Sequence, residues 1–369
     1  MQPAKTYSIK KNCKQLKTVI SQNQKKEDIF FSFEFLSALE ESDCLDADSG
    51  WTPNYLIHET DTVIPFYEKE NSHGEFVFDY AWANAYFRYG QRYYPKLVMS
   101  VPFTPVDGNR IFSKSNKDGM SALNSLVDYT RQNDFSSLHA LFVAKEQRDI
   151  FSSQEFIERN DCNFVWKNQS YSDFDDFLEA LSSRHRKNIK KERKYINSLG
   201  IEFEIVKNIK KEDWDDFYLF YALTYVKRGQ KPYLNENFFL KLSSLKPQII
   251  FAHKGGYRIA AALFFNNKDT LYGRYWGSKE EINYLHFEMC YYQGIELAIK
   301  QKNQNFDPGI QGHHKLKRGF EPIINTSFHW IKNSEFRKAI RKFCDEESKN
   351  IFQYFEQSKK YLPFKNAGI

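Results

Sequence analysis

Long uncharged apolar runs are missing from this chain of 369 residues: none approaches the roughly 18 that a membrane-spanning helix needs. The opening MQPAKTYSIKKNCK likewise lacks the apolar stretch of a signal peptide, so the expectation is a soluble cytoplasmic protein. Cysteine is scarce and scattered. Cys13, Cys44, Cys162, Cys290 and Cys344 are odd in number and contain no CxxC pair, which argues against a disulfide framework and against a zinc site. No metal is expected from the histidines either, because His313 and His314 are adjacent and chelation from a helix needs a spacing of three or four. A short-period repeat and a known base-reading motif are also absent.

What the chain does have is aromatic bulk. Phe 34 and Tyr 23, within a hydrophobic share of 41%, are enough to bury large cores, and the length suggests two units of similar size. The formal charge of +6 is concentrated. RHRKNIKKERK, residues 184–194, holds seven cations and Glu192, a local +6 that equals the total. Such a field attracts phosphates; a solvated face of a helix pair is the plainer reading. Phe174, Phe177, Leu178, Leu181, His185, Ile189, Ile196 and Leu199 recur at helical steps, Ser182 or Ser183 caps the second helix, and Gly200 ends it.

Periodicity organises both halves in the same way. YLIHE and TVIPFYEK read as a hairpin about Thr60 and Asp61, KLVMSVPF as a strand, KDGMSALNSLVDYTRQND as a helix and LHALFVAKE as a strand. QEFIERN reads as a helix and CNFVWKN as a strand. Beyond the basic helix come the strand IEFEIV and a helix with Trp214, Phe217, Tyr218, Tyr221 and Tyr225 on one face. QIIFAHK, YRIAAALFFNN and TLYGRYWGS form an antiparallel meander, followed by the long helix LHFEMCYYQGIELAIKQKN and the strand NFDPGI. The fold class is α+β, with interleaved strands and helices. A final helical tail is expected to pack back through Phe343, Ile351 and Phe355.

Meander, helix, strand is the core order of GNAT acyltransferases. RHRKNIKKERKYINSLGIEFEIV, IAAALFF, LYGRYWGS, NFDPGIQG and LKRGFEP together resemble the Fem-type tandem-GNAT transferases. SGWTP, GEFVFDYAWANAY, YYPKLVMSVPFTPV and GHHKLKRGFEP resemble, more narrowly, the Fem-like predicted N-acyltransferases named for peptidoglycan biosynthesis. The resemblance runs from about Phe35 to the C-terminal region. It implies two tandem GNAT-like domains, each a mixed, mostly antiparallel sheet flanked by helices, at 1–168 and 169–332, with a helical tail at 333–369. It also implies an N-acyltransferase moving an acyl or aminoacyl group from an activated donor to an amine. In GNAT folds two parallel strands splay to receive the donor's arm; here these are TLYGRYWGS and NFDPGI. The next helix, beginning near Asn283 to Phe287, aims its amides at a pyrophosphate. The glycine-rich pyrophosphate loop is missing, since GSKEEINYLHFEM has one early glycine. No tightly bound cofactor is expected. The donor is acyl-CoA, acetyl-CoA first, as a co-substrate, or aminoacyl-tRNA as in Fem-type relatives, in which case the Arg184–Lys194 cluster faces a tRNA backbone.

Amide formation needs a base, an oxyanion donor and an acid for the leaving group. In GEFVFDYAW an extended chain places Glu75 and Asp79 on one face; structural charges are the plainer reading, and Asp79 among aromatics is the candidate for a desolvated base with a raised pKa. His286 and Glu288 open the long helix, either as site residues or as exposed first-turn residues. Tyr272 and Arg274 on the preceding strand are candidate donors, alongside Arg186 and Lys190 of the basic helix. In GIQGHHKLKRGFEP, His313 to Arg318 reads as a short helix ended by Gly319, with Phe320 in a core. His314, Lys315 and Lys317 are candidates for holding a donor phosphate or polarising a carbonyl; Lys317, Gly319 and Phe320 match the family's Leu-Lys-x-Gly-Phe element. The competing readings are a non-catalytic RNA-binding protein that uses residues 184–194, with salt-sensitive affinity, and an inactive interaction module.

Overall fold

β-branched and aromatic residues alternate through WTPNYLIH and VIPFYEK, and these form the hairpin strands Trp51–His58 and Val63–Lys69, turning at Asp61, whose φ is +56°. The computed structural model describes residues 7–24, 28–46, 48–152, 155–310 and 312–365. It divides into two units. Unit 1 comprises residues 1–161 and 324–352, and unit 2 residues 162–323 and 353–369.

In unit 1 the hairpin is flanked by Tyr7–Lys10 on one side and Lys96–Met99 on the other, all antiparallel. The helix Asn116–Gln132 then leads to Ser137–Ala140, which lies parallel to Lys96–Met99. Phe328–Ile331, from the late strand Phe320–Ile331, pairs antiparallel with Ser137–Ala140 on its other side. Leu56, Phe66, Leu97, Leu123, Leu126 and Trp330 belong to the apolar core beneath. Ser115 caps the helix by accepting from the Asp118 amide at 3.2 Å.

Unit 2 has the meander Gln248–Lys254, Tyr257–Asn266 and Thr270–Ser278, with Ile201–Val206 on its outer edge. The long helix is present, but it consists of Leu285–Phe287, a π turn over Glu288–Tyr292, and Gln293–Lys300. It leads to Asn305–Asp307, parallel to the start of Thr270–Ser278. The helix Lys211–Val226 crosses that same strand so closely that a Cβ on Gly277 would stand 1.8 Å from the Phe220 carbonyl oxygen, so only glycine fits.

The α+β class and the GNAT-like order of each unit hold. Three local readings do not. QEFIERN, whose Gln154 lies outside the described residues, is not a helix: Ile157–Lys167 is one strand that continues through CNFVWK, with inward Ile157, Asn160, Phe164 and Trp166. GEFVFDY is a loop that ends at the helix Tyr80–Arg88. The tail helix Ser334–Lys360 buries Ile340 and Cys344, whereas Phe343 is 41% exposed. The units also differ from boundaries at 168 and 332. Strand and helix from the end of the chain complete unit 1, a long-range pairing that no local pattern reveals.

Candidate active site

Among the described residues each unit shows a pair of adjacent parallel strands, and what lies where that pairing stops differs between them. In unit 1 the pair covers Leu97 to Met99 against Leu138 to Ala140. Beyond it, the unit's own chain fills the place. The Gly108 amide donates to the Phe142 carbonyl (3.1 Å), the Ala144 amide to the Gly108 carbonyl (2.9 Å), and Arg110 Nε to the Leu141 carbonyl (2.7 Å). The remaining Arg110 nitrogens hold the carbonyls of Asn109 and Val106 at 2.7 and 2.6 Å. Backbone groups that a ligand would otherwise meet are thus satisfied internally.

Glu75 and Asp79 do come together, though through the loop and not through a strand. Both reach the ammonium of Lys96, at 2.8 and 2.5 Å, and Ser72 Oγ accepts a third bond from it at 2.9 Å. All of these side chains are buried. Burial pushes the Glu75 carboxyl up to about 7. For Asp79 burial acts upward too, but the Lys96 charge and hydrogen bonds outweigh it and hold the group down at about 2. The expected desolvated base with a raised pKa is therefore wrong for Asp79, which is a fixed anion and also accepts from Tyr93 Oη at 2.5 Å. Next to it lie two buried, neutral imidazoles. His139 and His329 share a 2.6 Å Nδ1 to Nδ1 bond, and burial pushes His139 down to about 3 and His329 well below its usual range. These side chains form a buried network centred on Lys96.

Unit 2 is open at the corresponding place. Its parallel pair covers Thr270 to Tyr272 against Asn305 to Asp307, and no further pair joins the two strands among the described residues. A bulge between Arg274 and Trp276, with Tyr275 at φ +61°, turns the departing strand away. Where the strands separate there is a cavity of about 130 Å³, lined by Gly273, Arg274, Tyr275, Trp276, His286, Cys290, Tyr291 and Pro308 among others. Arg274 is buried in its wall and spans the gap, bonding the Asp307 carboxylate at 2.7 Å and the Asp307 and Gly273 carbonyls at 3.0 and 2.8 Å. Tyr272, two residues before the bulge begins at Arg274, has the Arg274 guanidinium 5.5 Å from its ring centre.

His286 packs edge-on against Trp276 at 5.1 Å and lies 6.3 Å, ring to ring, from His314. It is not an exposed first-turn residue. Burial, reinforced by His314, Lys315 and Arg318, lowers it to about 4, so it is a neutral imidazole near pH 7. His314 is hydrogen-bonded through Nε2 to Tyr291 Oη at 2.7 Å, and burial with neighbouring cations lowers it as well. His313–Arg318 is a 3-10 helix, and Gly319 ends it at φ +89°, with Phe320 buried behind. Lys315 turns inward to the Gly309 carbonyl at 2.5 Å, and burial lowers it to about 8. Lys317 is exposed. Glu288 is also buried, in the π turn, against Arg193 at 3.0 Å. Burial raises its carboxyl, which Arg193 only partly offsets.

The basic helix Ser183–Ser198 is less positive than its sequence. Arg186 pairs with Glu179 (2.6 Å), Lys190 with Asp175 (3.7 Å), and Arg193 with both Glu288 and Glu296. Glu192 binds Arg318, at 2.8 Å, and Tyr292. These links fasten the helix beside the π turn and the His313–Arg318 segment, and leave Arg184, Lys187, Lys191 and Lys194 exposed. Sequence reasoning missed Lys96 and Arg318. A lone lysine inside the apolar run YYPKLVMS was the available signal for the first; Arg318 looked like one solvated cation among several.

Known proteins bear on this geometry. The FemAB_like family, described as peptidoglycan biosynthesis/recognition, matches residues 11–366. No curated protein matches the chain. Among solved structures, the C-terminal domain of an Agrobacterium fabrum protein assigned as a lysylphosphatidylglycerol synthetase is similar at 9% identity, with a TM-score of 0.54, over 88% of this chain and 94% of that one. L-PGS from Bacillus licheniformis is similar at 10% identity and TM-score 0.51, over 80% and 90%. A conserved protein of unknown function from Bacteroides thetaiotaomicron is similar at 12% identity and TM-score 0.52, over 88% and 99%. At these identities the likeness is one of fold. Among the described residues no helix is long and apolar enough to cross a membrane.

Proposed function

Because the chain belongs to the FemAB_like family, an acyl or aminoacyl transferase family of peptidoglycan biosynthesis, we propose that its catalytic centre is the unit 2 cavity and that its donor is an aminoacyl-tRNA. The observation that carries this reading is the contrast at the two parallel pairs: unit 1 fills the place with Gly108 and Arg110, and unit 2 leaves a cavity lined by His286 and Arg274.

The donor assignment rests on charge. A CoA pyrophosphate in a GNAT fold sits at the N-terminus of the helix after the splayed strand. Here Glu280 and Glu281 precede that helix, and only Leu285–Phe287 is α-helical before the π turn, so the terminus is short and its approach is acidic. The exposed Arg184, Lys187, Lys191 and Lys194 on the adjoining helix instead offer a phosphate-binding face. As the amine attacks the donor ester carbonyl, the C–N bond forms and neutral His286 accepts the proton from nitrogen. It returns that proton to the departing ribose oxygen as the C–O bond breaks. Arg274 offsets the negative charge that develops on the carbonyl oxygen, while Lys315 and Lys317 add positive potential around the cleft and His314, bonded to Tyr291, is a neutral group beside them. Tyr272 and Gly319 shape its walls. Glu75 and Asp79 are assigned to holding unit 1 together.

The test is a thermal-shift comparison of the purified protein with aminoacyl-tRNA, uncharged tRNA, acetyl-CoA and CoA. A ligand at about 100 times its Kd stabilises by roughly 2.7 kcal/mol. A shift with aminoacyl-tRNA that fades with salt supports the reading. A shift with acetyl-CoA and none with tRNA overturns the donor assignment and restores the acyl-CoA alternative.

A further inference from the structure

The corner that follows the helix Tyr80–Arg88 carries side chains that neither centre uses. On its inner side Trp82 and Tyr86 are buried. On its outer side Phe87 is 83% exposed and Tyr89 77% exposed, far more than the other exposed aromatics of unit 1, with Arg88 between them and Arg92 just beyond. Gly90, at φ +64°, has nothing within 4 Å of where a Cβ would stand, so the chain here projects into open space. The corner is braced from below: Phe336 stacks on Tyr86 at 3.8 Å and meets Tyr89 edge-on at 5.9 Å. Lys332 donates to the Asn133 carbonyl at 2.7 Å, and the next residue, Asp134, lies 3.7 Å from Arg92. The Arg92 and Asp134 side chains are 79% and 93% exposed, so this ion pair is weak. Arg88 and Arg92 thus flank the two bare rings in sequence and Lys332 lies next to the Asn133–Asp134 turn, with Asp134 and Glu335 as the carboxylates adjoining these elements.

Exposing a phenylalanine costs free energy in water unless something covers it. Alternating rings and guanidinium groups on a projecting corner suit one covering in particular. At a bilayer surface aromatic rings lie at headgroup level, and basic side chains meet lipid phosphates. We propose that this corner docks the protein on an anionic lipid surface, with Phe87 and Tyr89 entering the interface and Arg88, Arg92 and Lys332 facing phosphates. The contact is peripheral and stands independently of the donor assigned to unit 2.

The experiment is co-sedimentation of the full chain with vesicles of phosphatidylcholine alone and of phosphatidylcholine with phosphatidylglycerol, at low and high salt. Binding is expected to the anionic vesicles only and to weaken with salt. Arg88→Gln with Arg92→Gln should lower the partition coefficient roughly thirtyfold, at about fivefold per basic side chain. Phe87→Ser with Tyr89→Ser should also abolish retention, with at most a small fall in melting temperature from the lost Tyr89–Phe336 edge contact. The proposal is overturned if the wild type binds neither vesicle, or if both double variants bind as it does. It is equally overturned if binding is absent and sedimentation velocity shows a dimer that the aromatic variant dissolves, since the rings then cover a second copy.

Discussion

The two units share a strand plan and use it in opposite ways. Each runs through a meander and a helix to a parallel pair of three residues, at 97–99 with 138–140 and at 270–272 with 305–307. In unit 1 Arg110 and Gly108 take up the backbone beyond the pair and Lys96 ties down Glu75 and Asp79, while a separate cavity of about 190 Å³ is lined by Phe142, Arg159 and Ser327 among others. In unit 2 a bulge at Tyr275 keeps the strands apart, and beside the opening the half-buried His286 is held neutral while burial lowers Lys315 to about 8. A buried ionisable group matched to partners stabilises a fold; one shifted toward neutrality beside a cavity is available for proton transfer. The difference therefore lies in what stands where the parallel pair ends and not in how strands are ordered.

Replacing the matched lysine is the strongest way to break that comparison. Lys96→Met leaves two buried carboxylates facing each other, and the expected loss is about 3–5 kcal/mol in urea unfolding. Lys315→Met removes a cation whose burial already disfavours its charge, so its stability change should stay within about 1 kcal/mol. A Lys96→Met protein that is stable but inactive would move the catalytic centre to unit 1. Next comes His286→Gln, expected to slow transfer about 100- to 10,000-fold at an unchanged melting temperature, measured by single-turnover release of tRNA.

How legible these features were depends on the distance over which each was decided. The hairpin, the unit 2 meander and the glycine-ended His313–Arg318 helix follow from short-range rules, and the sequence patterns place them correctly. The first half of the Ile157–Lys167 strand was misread as a helix because its acidic and polar residues alternate with inward ones only when the partner strands are known, whereas CNFVWK was placed correctly. His286, Arg274 and Lys315 could be named from residue type and family position, but which histidine is buried could not. The charge cluster at 184–194 misleads most. Arg193 meets acids about a hundred residues away, at Glu288 and Glu296, so its field is partly cancelled by pairings that composition does not show.

A sharper, smaller test acts on backbone. Gly277→Ala should cost about 1–3 kcal/mol, because the new methyl group must push the Lys211–Val226 helix off the strand that lines the cavity. Hydrogen exchange should show faster opening in unit 2, with unit 1 unchanged. The smallest effect concerns acid. His139 and His329 are neutral in the fold and have pKa values below the unfolded value of about 6.5, so the unfolded chain binds the extra protons and stability falls as the pH drops below that point. Glu75, raised to about 7, runs the other way, losing its contribution as the pH rises from about 4.5. His139→Gln should flatten the slope of unfolding free energy against pH by up to one proton below pH 6.5, and a slope identical to wild type would show that this imidazole is already charged in the fold.

Unit 1 takes residues 324–352 from the far end of the chain, whereas most of unit 2 is the continuous stretch 162–323. On the ribosome, the half that is begun first is therefore completed only after most of the other half has been made. Its strand Ser137–Ala140 must wait, with one edge unpaired, until Phe328–Ile331 has been synthesised, while the half that carries the cavity has nearly all of its residues earlier. A nascent chain stopped before residue 324 should hold a nearly formed second half and an incomplete first one, and no single proteolytic cut releases either as an intact piece.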